Sequence, residues 1–202
     1  KIVYKYPGGE FFFHPGMAKP RINELLNGKT DQMIKAMSLQ KGVSVLDCTL
    51  GLGTDSIVAS FFTGPGGRVT GLEKSFIIAE LVRRGLAAYP EEDEDIARAM
   101  RRVAVVNAGH KEYLSGLPAD SYDVVYFDPM FRAPRHHSPA MNAMRALASP
   151  EPLDPETIEL ALRAAAKRVV LKERRGSTEF ERLGFKKVFG GKYAPVAYGV
   201  IE

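Results

Sequence analysis

The chain has 202 residues, 45% hydrophobic and 26% charged, the balance of an ordinary soluble globular protein of one domain. Lys and Arg outnumber Asp and Glu by 28 to 24, so the net charge of +4 does not by itself argue for an anionic partner, and a single cysteine, Cys48, excludes an internal disulfide. No apolar run approaches the ~18 residues of a membrane helix and the N-terminal residues lack the apolar core of a signal peptide, so a cytoplasmic protein is expected.

Ile2 to Tyr6 alternates like a strand and stops at Pro7-Gly8-Gly9. Phe11, Phe12 and Phe13 form an aromatic cluster, and His14 to Arg21, with two prolines and a glycine, predicts a loop. Asp31 is placed to cap a helix whose Met33, Ile34 and Met37 share one face. Residues 1–40 therefore read as an N-terminal extension or flap before a domain over 41–202. In that domain, Val43, Val45 and Leu46 make a short buried strand that ends on Asp47 and enters a turn at Gly51 and Gly53. A helical pattern follows through Ile57, Val58, Phe61 and Phe62. Arg68 to Glu73 is the second strand, and Ser75 heads a helix that Pro90 ends. The acidic run from Glu91 to Asp95 suits a helix N-terminus, and Ile96 to Arg102 continues as a short helix. Val103 to Val106 and Asp123 to Phe127 are the next strands. Prolines 150, 152 and 155 surround the start of a helix over Glu156 to Lys167, and Val169 to Leu171 is a fifth strand. Phe185 to Phe189 and Val196 to Ile201, separated by Gly190-Gly191-Lys192, predict an antiparallel pair.

Strands alternating with helices predict an α/β, Rossmann-like domain: a seven-stranded mixed sheet with helices on both faces, closed by an antiparallel C-terminal hairpin. That hairpin is informative, because a nicotinamide-type dinucleotide fold continues with another parallel half. The turn agrees. Gly51-x-Gly53 is followed by Thr54-Asp55, with Ser56 where a third glycine would stand, and no phosphate-binding G-K-[ST] is present. Asp47 would repel a pyrophosphate but suits a cationic amino-acid moiety such as that of S-adenosylmethionine. Glu73, at the end of the second strand, is placed to accept both ribose hydroxyls. Asn107, Gly109 and His110 would face the adenine.

Asp128-Pro129-Met130-Phe131 ends the fourth strand in a turn like the [N/D]-P-P-[F/Y] turn of amino-methylating enzymes. A side-chain oxygen on its first residue and a backbone carbonyl after the proline accept hydrogen bonds from an exocyclic amine and favour the positive charge that develops on nitrogen. The aromatic at its fourth position stacks on the base. Arg132, Arg135, His136, His137 and Arg145 follow with no acid between 132 and 149, a local excess suited to RNA phosphates, with Lys19 and Arg21 as further candidates. No Cys/His pair stands at zinc spacing from His136-His137, so no metal is expected. Cys48 reads as a small packed residue.

Together D-C-T-L-G-L-G-T-D (47–55), L-E-K (72–74), N-A-G-H (107–110), D-P-M-F (128–131) and K-R-V-V-L-K (167–172) resemble the bacterial small-subunit ribosomal RNA guanine-N2 methyltransferase J family, over roughly residues 15 to 172. The resemblance implies a class I fold, S-adenosylmethionine as cofactor, ribosomal RNA as partner and methylation of guanine N2. Carried over by position, it implies cofactor contacts at Thr54, Asp55, Glu73, Lys74, Gly109, His110 and Asp128. The family has Arg where Thr54 stands, two serines where Gly109-His110 stand, and a Lys-rich loop after Phe131. Three other readings share parts of the pattern: an amino-methyltransferase for DNA or protein, a nicotinamide-dependent oxidoreductase, and a non-catalytic RNA-binding module.

Overall fold

The computed structural model describes residues 3–7, 9–129, 147–148, 153–191 and 193–202. Its centre is a seven-stranded sheet in the order β5-β4-β3-β6-β7-β9-β8. Strands β3 (Ser44–Asp47), β4 (Arg68–Leu72), β5 (Val103–Val106), β6 (Tyr122–Phe127) and β7 (Ala165–Arg174) run parallel. Strand β9 (Val196–Ile201) is antiparallel to β7, and β8 (Lys187–Phe189) is antiparallel to β9. This is the mixed sheet with a closing hairpin that the sequence predicts. The chain steps outward from β3 to β5, then returns to place β6 on the other side of β3. That reversal is a topological switch point, and the crevice at its strand ends is where open α/β sheets bind ligands.

The pleat sorts the core into two layers. Val45, Val124, Tyr126, Val170, Tyr198 and Val200 face one cluster, with α1 (Ala18–Leu26), α2 (Gln32–Met37), α3 (Thr54–Thr63), α4 (Phe76–Ala88) and α5 (Glu94–Arg102). Leu46, Val125, Phe127, Val169 and Leu171 face the other, with α6 (His110–Ser115), α7 (Pro155–Ala164) and α8 (Glu179–Arg182). Cys48 is packed in this second cluster, and burial pushes its thiol pKa well up.

The N-terminal residues form a small antiparallel hairpin, β1 (Val3–Tyr6) with β2 (Gly9–Phe12), which takes in two phenylalanines of the aromatic cluster. The expected loop over 14–21 is shorter than predicted: α1 begins at Ala18, because Pro20 falls in the first turn, where a missing N–H is harmless. Asp31 does cap α2, its Oδ1 accepting the Met33 and Ile34 N–H groups at 2.9 and 3.2 Å. Asp93 caps α5 in the same way, within the acidic run. Ser75 stands at the N-cap of α4 without a side-chain capping bond. Helix α4 ends at Ala88, two residues before Pro90, as the pre-proline restriction requires. The helix expected to reach Lys167 stops at Ala164, and the chain enters β7 directly at Ala165. Pairing of Ala165 with Tyr122, and a Lys167–Asp123 ion pair at 2.8 Å, override the helical preference of the alanine run.

Candidate active site

Strand β3 delivers Asp47 to the switch point, almost fully buried. Its Oδ2 accepts the Ser56 hydroxyl at 2.6 Å and its Oδ1 accepts the Thr49 N–H at 3.0 Å. Asp47 therefore ties both ends of the glycine turn to the strand. Burial, partly countered by these bonds and reinforced by nearby Asp55, pushes its pKa up to about 6. Gly51 and Gly53 take left-handed backbone, φ +51° and +77°, which lets the turn fold back and α3 begin at Thr54. The N-terminal loop lies over this point, because the Thr54 hydroxyl donates to the Pro15 carbonyl at 3.2 Å.

Glu73 follows β4. Its carboxylate accepts the Ser75 N–H at 2.8 Å and backbone N–H groups of Gly51 and Lys74. Burial outweighs these bonds and raises its pKa. Asn107, after β5, donates its amide to the Glu73 and Lys74 carbonyls at 2.8 and 3.0 Å, which fixes the loop carrying Glu73. Gly109 lies near the stem of Lys74, and His110 opens α6 with its ring edge-on to Phe127 at 6.0 Å.

Asp128 follows β6, with 27% of its side chain exposed. Its N–H donates to the Thr49 hydroxyl at 2.6 Å, so one threonine joins the glycine turn to Asp128 at the end of β6. Met130, Phe131, Arg132, Arg135, His136, His137 and Arg145 lie outside the described residues. The Asp128 carboxylate accepts the Lys172 ammonium at 2.6 Å. Lys172 also donates to Asp55 at 3.0 Å, and Asp55 accepts the Tyr126 hydroxyl at 2.6 Å and the Arg21 guanidinium. Arg21 closes the series with a two-bond pair to Asp31 at 2.8 and 3.1 Å.

The charges in this cluster are unequal. Burial works against ionised Asp55, but Lys172 and Arg21 outweigh it and hold its carboxyl well below the usual range. Burial likewise works against the Lys172 ammonium, yet Asp55 and Asp128 raise its pKa far above that of an ordinary lysine. Burial and the repulsion of Asp55 and Asp47 push the Asp128 pKa up to about 7 against the pull of Lys172. Outside the cluster, a groove of about 370 Å³ opens beside Arg21, Asp31 and Tyr198, between the α1–α2 connection and the start of β9.

Most of the sequence-derived site thus converges on one crevice: Asp47, the Gly51–Gly53 turn, Asp55, Glu73, Asn107 and Asp128 are linked by hydrogen bonds at the ends of β3, β4, β5 and β6, with Thr54 at the start of α3 beside them. Lys19 and Arg21 stand differently. Lys19 pairs with Glu91 at 2.6 Å, and Arg21 is engaged by Asp31 and Asp55. Sequence reasoning missed Lys172 and Tyr126. The available signal was alternation: Val170 is buried on one face of β7, and Lys172, two residues on, must share that face.

Comparison with known proteins gives the family. Residues 12–188 match the family described as "Putative SAM-dependent methyltransferase". The chain belongs to this family. Its cofactor is S-adenosylmethionine. A Bacillus subtilis relative, "Uncharacterized protein YpiP", is 42% identical over 200 residues, covering 99% of this chain and 77% of that protein. The ribosomal RNA small subunit methyltransferase J of Pseudomonas savastanoi is 36% identical over 159 residues, covering 75% of this chain and 57% of that protein. Its counterpart in Thioalkalivibrio sulfidiphilus is 36% identical over 135 residues, covering 64% and 51%. The chain thus spans little more than half the length of these two methyltransferase J relatives. Among solved structures, a SAM-dependent methyltransferase from Neisseria gonorrhoeae superposes with a TM-score of 0.66 at 21% identity, covering 98% of this chain and 77% of that one. Fibrillarin from Aeropyrum pernix, crystallised with bound S-adenosylmethionine, gives 0.52 at 15% identity, covering 99% and 81%. These two likenesses show the fold.

The residues present fit the cofactor. The two left-handed glycines keep side chains off the turn. Carboxylates of Asp47, Glu73, Asp55 and Asp128 crowd the crevice, and among the described residues its half-buried cations are each held between two carboxylates, Lys172 by Asp55 and Asp128 and Arg21 by Asp55 and Asp31. Such a donor set disfavours a pyrophosphate and suits a sulfonium and an ammonium.

Proposed function

We propose that the protein methylates an exocyclic amine, the N2 of guanine in ribosomal RNA. The observation that carries this reading is the Asp128 carboxylate, set at the switch point beside the glycine turn and followed by Pro129. The names of the methyltransferase J relatives and the D-P-M-F tetrapeptide support RNA and guanine as the target. When bound, the cofactor supplies a methyl group on a positively charged sulfur. Asp47, Gly51, Gly53, Thr54 and Asp55 would form the wall of its site. Glu73 would take the ribose hydroxyls, and Lys74, Asn107, Gly109 and His110 would border the adenine.

Asp128 accepts a hydrogen bond from the target amine, and the carbonyl after Pro129 accepts a second. Two acceptors orient the nitrogen lone pair and favour the positive charge that grows on nitrogen. Asp128 then takes the proton that the methylated nitrogen sheds, which an acid of pKa about 7 can pass to water. Phe131 would stack on the base, with Met130 beside it. Arg132, Arg135 and Arg145 would hold phosphates. Lys19 and Arg21 could join them only by leaving their present ion pairs.

Purified protein with radiolabelled S-adenosylmethionine, offered ribosomal RNA, DNA and protein in parallel, tests the assignment. Label is expected in ribosomal RNA, recovered as N2-methylguanosine by mass spectrometry of nucleosides. Asp128→Ala should lower that rate by about 10²–10³-fold, the scale of a lost transition-state hydrogen bond, while the protein stays folded. Wild-type turnover in the variant, or label only in DNA or protein, would sink the reading.

A further inference from the structure

Lys172 stands outside the turn that carries the chemistry, yet its ammonium is 2.6 Å from the reacting carboxylate. Its place follows from register. Phe127 pairs with Leu171 across β6 and β7, so Lys172 emerges level with Asp128, one strand over. Its cross-strand partner on β9 is Tyr198, which walls it from the other side. The side chain is 19% exposed, and the elements that carry its two carboxylates are fixed from elsewhere. Asp55 is held by Tyr126 and Arg21, and Asp128 by the Thr49 hydroxyl at its N–H.

A purely structural role fits this arrangement badly. A buried ion pair adds little to stability over apolar residues of the same volume, and one carboxylate would satisfy one ammonium. Here a single ammonium bridges two carboxylates in a cluster that also holds Asp47, with Arg21 and Asp31 paired at its outer edge. The bridge places a cation against the oxygen that must stay an acceptor.

We propose that Lys172 is a positioning residue, which aims the Asp128 carboxylate at the target amine and favours its ionised form near neutral pH, and which is itself held in place by Asp55. This rests on the amine-methylation reading above. A protonated Asp128 is a weaker acceptor for the amine and cannot take the departing proton. Among the described residues, the groups facing Asp128 are Lys172 from β7, Asp55 from α3, Asp47 from β3 and, a step further, the Tyr126 and Tyr198 hydroxyls, Arg21 and Asp31. Of these, Lys172 is the cation in direct contact. Without it, burial and two carboxylates act unopposed and Asp128 stays protonated through neutral pH. Lys172 is not itself a base, because its two carboxylates keep it charged.

Lys172→Met and Lys172→Gln remove the charge, the second keeping hydrogen-bond donors, and Lys172→Arg restores the charge. The first readout needs no turnover: carbon-13 NMR titration of the aspartate carboxyls, with Asp128 assigned by its loss in Asp128→Asn. In Lys172→Met and Lys172→Gln the Asp128 midpoint should rise by about 1–3 pH units, the range one contacting charge commands. In Lys172→Arg it should stay within roughly half a unit of wild type, since charge and not chain identity sets it. The second readout is the pH–rate profile of methyl transfer to ribosomal RNA. The acid limb should move up by the same interval, lowering kcat at pH 7 by roughly five-fold or more, with KM for RNA little changed and Lys172→Arg largely restored. A merely structural lysine would lower the melting temperature and leave both the titration and the acid limb in place. That result in either neutral variant overturns the proposal. A shifted titration without methyl transfer to RNA would instead sink the substrate assignment and leave the coupling between Lys172 and Asp128 intact.

Discussion

Asp128 is held in an unfavourable state, and that has a measurable sign. Its pKa in the fold, about 7, lies above the ordinary 3.8. Folding therefore favours the protonated acid. The stability it contributes is fully present below pH 3.8 and is lost as pH rises through about 7, above which the ionised group weighs against the fold. Asp128→Asn should accordingly melt higher than wild type at pH 8, with the gain fading by pH 4; calorimetry of both proteins at the two pH values checks this, and an equal gain at both refutes the electrostatic origin. Asp123 has the opposite sign. Burial is outweighed by Lys167 and Ser44, and its pKa falls to about 2, so its contribution is present above 3.8 and lost as pH drops toward 2. At this scale Asp47, Glu73 and Asp128 were legible because each ends or directly follows a recognisable strand. Lys172 and Tyr126 were not. Tyr126 sits in D-V-V-Y-F, where an aromatic residue reads as core, and it is core; only its hydroxyl, against Asp55, belongs to the site.

The elements show where local preference wins and where packing overrides it. Caps at Asp31 and Asp93 and the stop before Pro90 are local devices, each contained within a few residues. The direct passage from α7 into β7 is not, since it depends on Tyr122 lying alongside Ala165. Gly85, inside α4, is a sharper case. Alanine there should add about 1 kcal/mol of helix propensity. A Cβ at that position would lie 2.0 Å from Cγ of Phe13, which packs across the glycine. Gly85→Ala is therefore expected to destabilise by about 1–3 kcal/mol, the scale of overpacking, in urea denaturation. In a Phe13→Ala background the same change should turn neutral or stabilising. Equal effects in both backgrounds would show that Phe13 is not the cause.

At the scale of the whole molecule, the N-terminal segment over 1–40 shares one hydrophobic cluster with the sheet. Phe11, Phe13, Ile22, Met33 and Met37 are buried among Val45, Val124 and Val170. Arg21 reaches from α1 to Asp55, 34 residues on. Removing residues 1–40 should thus uncover the sheet face and leave Asp55 with one cation fewer. The expected result is loss of a cooperative thermal transition and strong binding of a hydrophobic dye. A truncated chain that melts cooperatively would establish the segment as a dispensable flap.

The sequence by itself determined the parts written in neighbouring residues: the strand, left-handed glycines and helix of Val43 to Phe62, the carboxylates at the ends of β3, β4 and β6, and the closing hairpin. Each depends on side-chain periodicity or on the backbone freedom of one residue, and both act over a few positions. Tertiary structure alone decided that Lys172 would meet Asp55, 117 residues away, and Asp128, 44 residues away. Periodicity says which face of a strand is buried. It does not say which strand lies alongside or in what register, because burial by any apolar neighbour satisfies it equally. That choice was made by the packing of β6 against both β3 and β7 at the switch point, and it turned an isolated acid into a carboxylate held by a shared ammonium.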